Sequence, residues 1–337
     1  MSATIEPVAI RPIVVVSRCL GFDHCRYNGQ TIPDAYVDRL EPHVTFITVC
    51  PEVAIGLGVP RDPIRIVRAD GQLRLVQPAT GRDVTDAMQA YVNAFLDELG
   101  PVDGFLLKGR SPSCGLSDVK LYGGLEEEGA PVGRGPGFFG RAVLDRFPGL
   151  AVESEGRLKN YRLRDHFYTK LFALARLRAA IAAESIAALT QFHARSKYLL
   201  MAYHQTRLRE MGRLLANRDG LPLPEVASRY RSLFAAALVR PASCRAHVNV
   251  LMHTAGYFKN QLTPQEKAFY AERLDSYRAG QTTLATLRDL MRAWIVRFGN
   301  DYLAEQSYFA PYPVALVDTS DSGGEHACLE DAQGRSP

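Results

Sequence analysis

Three cysteines each close an apolar, β-branched run. Cys19 follows VVVSR, Cys50 directly follows VTFITV, and Cys114 sits in KGRSPSCG just after GFLLKG. In an open parallel α/β sheet the carboxyl ends of the strands share one crevice, where ligands bind. Cysteines far apart in sequence are therefore expected to meet in space. Three converging thiolates suit a zinc ion or an iron–sulfur cluster. Structural zinc takes four protein ligands. Three thiolates on a cubane whose full complement is four leave one iron free for a substrate atom. Three ordinary buried cysteines are the plain alternative, because free Cys is among the most buried residue types. The remaining cysteines are Cys25, Cys244 and Cys328, and no CxxC pair occurs. The set is too small and scattered for a disulfide framework, which favours metal or catalytic use in a reducing compartment.

The elements that must hold these cysteines alternate. Strand signals cover Pro12 to Val16, Val44 to Val49 and Gly104 to Leu107. A helical pattern from Thr85 to Leu99 puts Met88, Val92, Phe95, Leu96 and Leu99 on one face, with Thr85 or Asp83 as its cap and Gly100-Pro101 as its stop. IRIVRADGQLRLV reads as a hairpin turning at Asp70-Gly71. A last helix, about Phe138 to Phe147, leads into LAVES, and the glycine-rich stretch from Gly123 to Gly140, with Glu126 to Glu128, reads as a lid or an exposed loop. Together these predict an α/β domain with a mainly parallel sheet over residues 1–163. From Arg164 strand signals vanish, and periodic helices are expected at about 166–184, 185–216, 224–238, 242–259 and 264–305, an all-α helical domain ending near 312. Residues 313–337 are small, polar and acidic, which predicts disorder.

A chain of 337 residues is expected to divide into two domains. No apolar run approaches the roughly 18 residues that cross a bilayer, and no secretory signal is legible at the start, so the cytoplasm is the expected compartment. Charge is unevenly placed. Lys and Arg outnumber Asp and Glu by 20 to 10 over residues 166–306, while acids prevail on either side. A localised positive surface is the footprint of a polyanionic partner.

SRCLGFDHCRYNG, VCPEVAIGLGVPRDP and LKGRSPSCG resemble, in order and spacing, the three motif blocks of the thiouracil desulfidase family. The resemblance covers roughly residues 10–160. The helical half, with HARSKYLLMAYHQ and HVNVLMHTAGYFKNQLTPQEK, looks like a helical domain fused to that family in tRNA 4-thiouridine desulfidases. The resemblance implies a [4Fe–4S] cluster on Cys19, Cys50 and Cys114 with one iron not bound by cysteine. Cys25 is then a spectator, or a ligand if its loop folds differently. An iron of this kind would polarise a thiocarbonyl sulfur as a Lewis acid, soft metal matching soft ligand. Water would then replace sulfur with no net redox change.

Such hydrolysis needs a proton acceptor. Glu52, two residues past Cys50, is the candidate, against the plain role of accepting backbone N–H bonds at a strand end. Ser111 and Ser113 could orient base or water, although serine is a common turn former. Lys108, Arg26 and Tyr27 could frame the substrate or serve packing. In the helical half, Lys170, Arg195, Lys197, Arg207, Arg209 and Arg213, interleaved with aromatics, are expected to meet tRNA phosphates. The solvated face is the bland alternative. His193, His204, His247 and His253 show no i, i+4 pair that would make a metal site. A desulfidase for free thiouracil or other small thiolated pyrimidines is one rival reading. A non-catalytic nucleic-acid-binding regulator holding a cluster or zinc is another.

Overall fold

The computed structural model describes residues 10–69, 71–124 and 129–318. They divide into two units, Arg11–Leu158 and from Lys159 onward.

The first unit carries the strands. β1 (Ile13–Ser17) pairs in parallel with β2 (Thr45–Val49), reached through α1 (Ala35–Leu40). α2 (Pro51–Ala54) follows β2 directly. β4 (Gln72–Gln77) pairs antiparallel with both β3 (Arg65–Ala69) and β5 (Arg82–Asp83), and α3 (Thr85–Glu98) leads to β6 (Gly104–Leu107). β7 (Val119–Tyr122), β8 (Pro131–Gly135), α4 (Phe138–Arg146) and β9 (Ala151–Ser154) complete the unit. Among the described residues two sheets form: an all-parallel one in the order β2-β1-β6-β9 and a mixed one in the order β5-β4-β3-β7-β8.

The reason for this architecture is legible in the side chains. β1 and β6 are the inner strands, and Val14, Val15, Val16, Phe105, Leu106 and Leu107 are buried, as a strand covered on both faces requires. α3 buries Met88, Val92 and Leu96, each four residues from the next, against the same core. Its start is held by Asp83, whose carboxylate accepts the Thr85 N–H at 2.9 Å, while the Thr85 hydroxyl accepts from Leu75 N.

The parallel sheet expected from sequence is present; the second sheet was legible only as its hairpin, whose turn residue Asp70 lies outside the described residues. The glycine-rich stretch differs from the expected lid or exposed loop. Residues 131–135 form β8, and Gly137 and Gly140 pack against backbone. A Cβ on Gly140 would come within 2.2 Å of the Gly115 carbonyl oxygen, and one on Gly137 within 2.5 Å of the Ser113 oxygen. Glu126 to Glu128 fall outside the described residues.

The second unit is helical: α5 (Tyr161–Ala182), α6 (Ile186–Arg195), α7 (Lys197–Tyr203), α8 (Gln205–Ala216), α9 (Leu223–Ala237), α10 (Cys244–Ala255), α11 (Pro264–Arg278), α12 (Leu284–Phe298) and α13 (Asp301–Ala304). Two long helices expected from periodicity are broken by caps. His204 is extended and its ring accepts the Arg207 N–H, which opens α8. Thr283 caps α12 and the left-handed Gly299 closes it. At α11 the anticipated Pro264 start carries a capping box of Thr263 and Glu266. Packing continues past 312, the expected limit of the helical domain, since Leu316 is buried. The rest of the predicted tail, from residue 319, lies outside the described residues, as does Cys328.

Candidate active site

The carboxyl ends of β1, β2 and β6 deliver Cys19, Cys50 and Cys114 to one pocket of about 830 Å³, and Cys25 lines it too. Each cysteine has its own anchor. Cys19 opens a loop that folds back on itself: its carbonyl accepts from Ile32 N at 2.8 Å and from the Thr31 hydroxyl at 3.1 Å. That closure carries Cys25 inward, where its thiol interacts with those of Cys19 and Cys50. Cys50 stands at the N-cap of α2, with Pro51 setting the first turn and Glu52 next along it. Cys114 sits in a tight turn in which the Ser111 hydroxyl accepts its N–H at 3.2 Å and the Ser111 carbonyl accepts Gly115 N at 2.8 Å.

Burial pushes the Cys50 thiol up to about 12, with the Val53 backbone N–H working against it. Cys114 is raised as well, by burial and despite a bond to the Ser17 hydroxyl; the Cys25 thiol is raised chiefly by its bond with Cys19. The raised thiols of Cys25, Cys50 and Cys114 become thiolates only with a strong cationic partner, as a coordinated metal provides. The donor set fits a cluster by its softness.

Glu52 is the hub of the polar half of the pocket. Arg61 donates to its Oε2 from Nε at 3.0 Å and from Nη2 at 2.7 Å. Its Oε1 accepts from Ser111 Oγ at 3.3 Å and from Ser113 Oγ. The Arg61 side chain is 4% exposed and also donates to the Cys25 carbonyl at 3.1 Å. Sequence reasoning named Glu52, Ser111 and Ser113, and the structure brings the three together. It missed Arg61, although that residue lies in the VPRDP end of the block that contains Glu52. Ser17 and Glu155 were missed as well. Ser17 Oγ accepts the Lys108 N–H at 2.9 Å; Glu155 pairs with Lys108 Nζ and accepts Gly109 N at 2.7 Å. Lys108 is thus held as a structural clamp at the end of β6.

A protein-family model described as 2-thiouracil desulfurase matches residues 14–155. The protein YbbK of Bacillus subtilis (strain 168) is 32% identical over 156 residues, which is 44% of this chain and 99% of YbbK. The chain belongs to the 2-thiouracil desulfurase family. A solved structure named [4Fe-4S]-dependent thiouracil desulfidase TudS is similar to this family member at 32% identity, covering 44% of this chain and 93% of that one, with a TM-score of 0.35. The protein YbgA of Escherichia coli (strain K12) is 30% identical over 137 residues, 40% of this chain and 80% of YbgA. A second family model, described as a protein of unknown function (DUF1722), matches residues 197–313.

In this desulfurase-family chain the remaining expected residues scatter. Arg26, stacked toward Tyr27, and Lys120, Arg134, Arg65 and Arg110 line the rim, so that among the described residues seven cations face two carboxylates, Glu52 and Asp118. In the helical unit Lys170 is a correction: it is 6% exposed, inside the unit and away from any RNA-facing surface. Arg195 is paired with Glu305, Lys197 lies over the rings of Tyr198 and Tyr302, and Arg207 is half-buried. Arg209 and Arg213 are exposed and line a groove of about 670 Å³ with Arg218 and Arg229. Of the histidines, His193 and His247 bond the hydroxyls of Tyr230 and Tyr308. Cys244 is buried in the helical unit and does not line the cysteine pocket. No described helix is long and apolar enough to cross a membrane.

Proposed function

We propose that this protein is an iron–sulfur-dependent desulfidase that converts 4-thiouridine in tRNA to uridine with release of sulfide. The observation that carries the reading is the single pocket in which a cysteine group faces a carboxylate fixed by Arg61. Cys19, Cys50 and Cys114 would hold a [4Fe–4S] cluster. When bound, it supplies a Lewis-acidic iron, free of cysteine, toward the thiocarbonyl sulfur.

The chain's own groups do the rest. Glu52 accepts a proton from the water that attacks C4, and the Arg61 fork keeps its carboxylate aimed. The hydroxyls of Ser111 and Ser113 fix Oε1 and orient that water. One water oxygen replaces one sulfur, which leaves as hydrosulfide, and no electron is transferred. The cationic rim suits a phosphate-bearing substrate better than a neutral free base. In the helical unit the arginine-lined groove offers backbone contacts of the kind that position a nucleic acid. A 4-thiouridine in folded tRNA is stacked, so the base must be extruded to reach the pocket. The protein is read as cytoplasmic.

Anaerobic purification with cluster reconstitution tests the reading. Loss of the thione absorbance of tRNA is followed for wild type, Cys114→Ala and Glu52→Gln. Turnover of tRNA by wild type, with both variants inactive, is the expected result. Turnover of free thiouracil with intact tRNA sinks the tRNA assignment. Colourless, zinc-binding protein, or binding without turnover, sinks the enzyme.

A further inference from the structure

Two large aromatic side chains of the helical unit stand together at its surface. Tyr257 lies in the turn Gly256–Phe258 that continues α10, and Tyr302 lies in α13. They are 42% and 41% exposed. Their rings are stacked, with centroids 6.0 Å apart and planes inclined by 24°, within the range of offset aromatic pairs. Both rest on Tyr198 of α7, which is fully buried. Its hydroxyl donates to the Tyr257 hydroxyl at 2.9 Å, and its ring meets that of Tyr302 edge-on at 6.2 Å. Lys197 Nζ lies 5.3 Å from the Tyr198 centroid and 5.9 Å from that of Tyr302.

A single exposed tyrosine needs no explanation. A stacked pair anchored on a buried third ring differs in two ways. Its orientation is set before any partner arrives, so contact costs little side-chain freedom. A cation also stands beside it, for Lys197 has no acid within ion-pair distance among the described residues. Of the charges close by in sequence, Arg195 pairs with Glu305, and exposed Lys259 balances exposed Asp301 in number. The Lys197 ammonium is left in surplus. Exposed rings with an unpartnered cation suit a nucleotide, whose base supplies a π face and whose phosphate supplies the opposite charge. A protein partner fits less well, since Lys is depleted from protein interfaces.

We propose that Tyr257 and Tyr302 form a stacking platform for an unpaired base of an RNA strand, with Lys197 meeting the adjacent phosphate. The proposal rests on the tRNA reading of the helical unit and adds a contact of a different kind from the arginine-lined groove. The groove engages backbone charge, which weakens steeply with salt; the platform engages a base face, which carries no net charge. A base drawn out of its own stack loses contact energy, and the two rings return part of it.

The test uses the full-length protein and a short unstructured RNA strand, compared with an abasic strand of equal length and charge. Both are titrated at several salt concentrations, with bulk tRNA in parallel. Wild type is expected to favour the base-bearing strand about tenfold. Tyr302→Leu and Tyr257→Leu should each lose most of that preference with the salt slope unchanged, and Tyr302→Phe should keep it. Lys197→Met should keep the preference and flatten the slope by roughly one. Thermal unfolding identifies a leucine variant that does not fold, and the other then decides. Equal binding of the two strands by wild type, with tRNA still bound, overturns the platform and leaves the tRNA reading standing. Binding of no RNA overturns both. An unchanged preference in the leucine variants also overturns the proposal, and loss of self-association in sedimentation would then mark the patch as a protein interface.

Discussion

Arg61 holds Glu52 by two bonds that converge on one carboxylate oxygen, leaving the other oxygen to Ser111 and Ser113. The pair is almost shut off from solvent at the arginine end, so its geometry is set by protein and not by water. A carboxylate fixed in this way has little freedom to turn within the pocket it shares with the cysteines.

Replacing Arg61 by Lys keeps the charge and loses the fork. Desulfidation should fall at least about tenfold with iron content unchanged, whereas Glu52→Gln should cost about a hundredfold or more, the usual weight of a general base. Turnover and iron per chain, measured together, check both. Full activity in Arg61→Lys would show that aim is not limiting.

Among the pocket cysteines, Cys19→Ser, Cys50→Ser and Cys114→Ser should each yield protein without cluster absorbance after reconstitution. Cys25→Ser should keep it. A colourless Cys25→Ser would make Cys25 a fourth ligand, fill the cubane's complement and leave no iron free for a substrate atom.

Gly140 touches the cysteine turn through bare backbone, so Gly140→Ala forces a methyl group against the Gly115 and Cys114 carbonyls. Overpacking of this sort costs about 1–3 kcal/mol. Denaturant unfolding should show that loss, and cluster retention should fall with it. The exposed Gly124, with nothing within 4 Å of a Cβ, serves as the neutral control.

Removing three of the four arginines of the groove, as Arg209→Ala, Arg213→Ala and Arg218→Ala combined, should weaken tRNA binding across sequences. Its salt slope should flatten by roughly one for each phosphate no longer engaged. Turnover of a free thiolated base should be unchanged. Binding titrations at several salt concentrations distinguish this from a folding defect.

Acidification should loosen the helical unit. Burial lowers His166 to about 4 and His247 to about 3, so both are neutral when folded. A folded pKa below the ordinary 6.5 means that the unfolded chain takes up the proton first. The stability from each is fully present above about pH 6.5 and drains as pH falls toward the folded value, by up to about 1.4 kcal/mol per pH unit for each histidine. Urea unfolding from pH 8 to 5 should show the decline, and His247→Gln should make it shallower.

Much of the site was open to sequence reasoning because one rule, that ligands gather at the carboxyl ends of parallel strands, needs only strand positions. It brought Cys19, Cys50 and Cys114 together and placed Glu52 beside them. Arg61 escaped because its approach depends on how the segment after α2 turns back, which no periodicity encodes. The mixed sheet escaped for a similar reason: β7 and β8 are short, and β8 contains two glycines. Helix periodicity ran through Ser196 and His204 because hydrophobic spacing continues across both, while the breaks are made by backbone caps. Lys170 was assigned to the surface by its charge, and only the packing of α5 shows that its whole turn is internal.

The strand order β2-β1-β6-β9 also imposes a timetable. Cys19 and Cys50 leave the ribosome early and share neighbouring strands, but Cys114 joins them only when β6 has inserted on the far side of β1. That insertion pairs β6 with β1 and β9. The pocket is complete only when the first unit has folded, so a cofactor held by all three of these cysteines would be taken up by a finished unit.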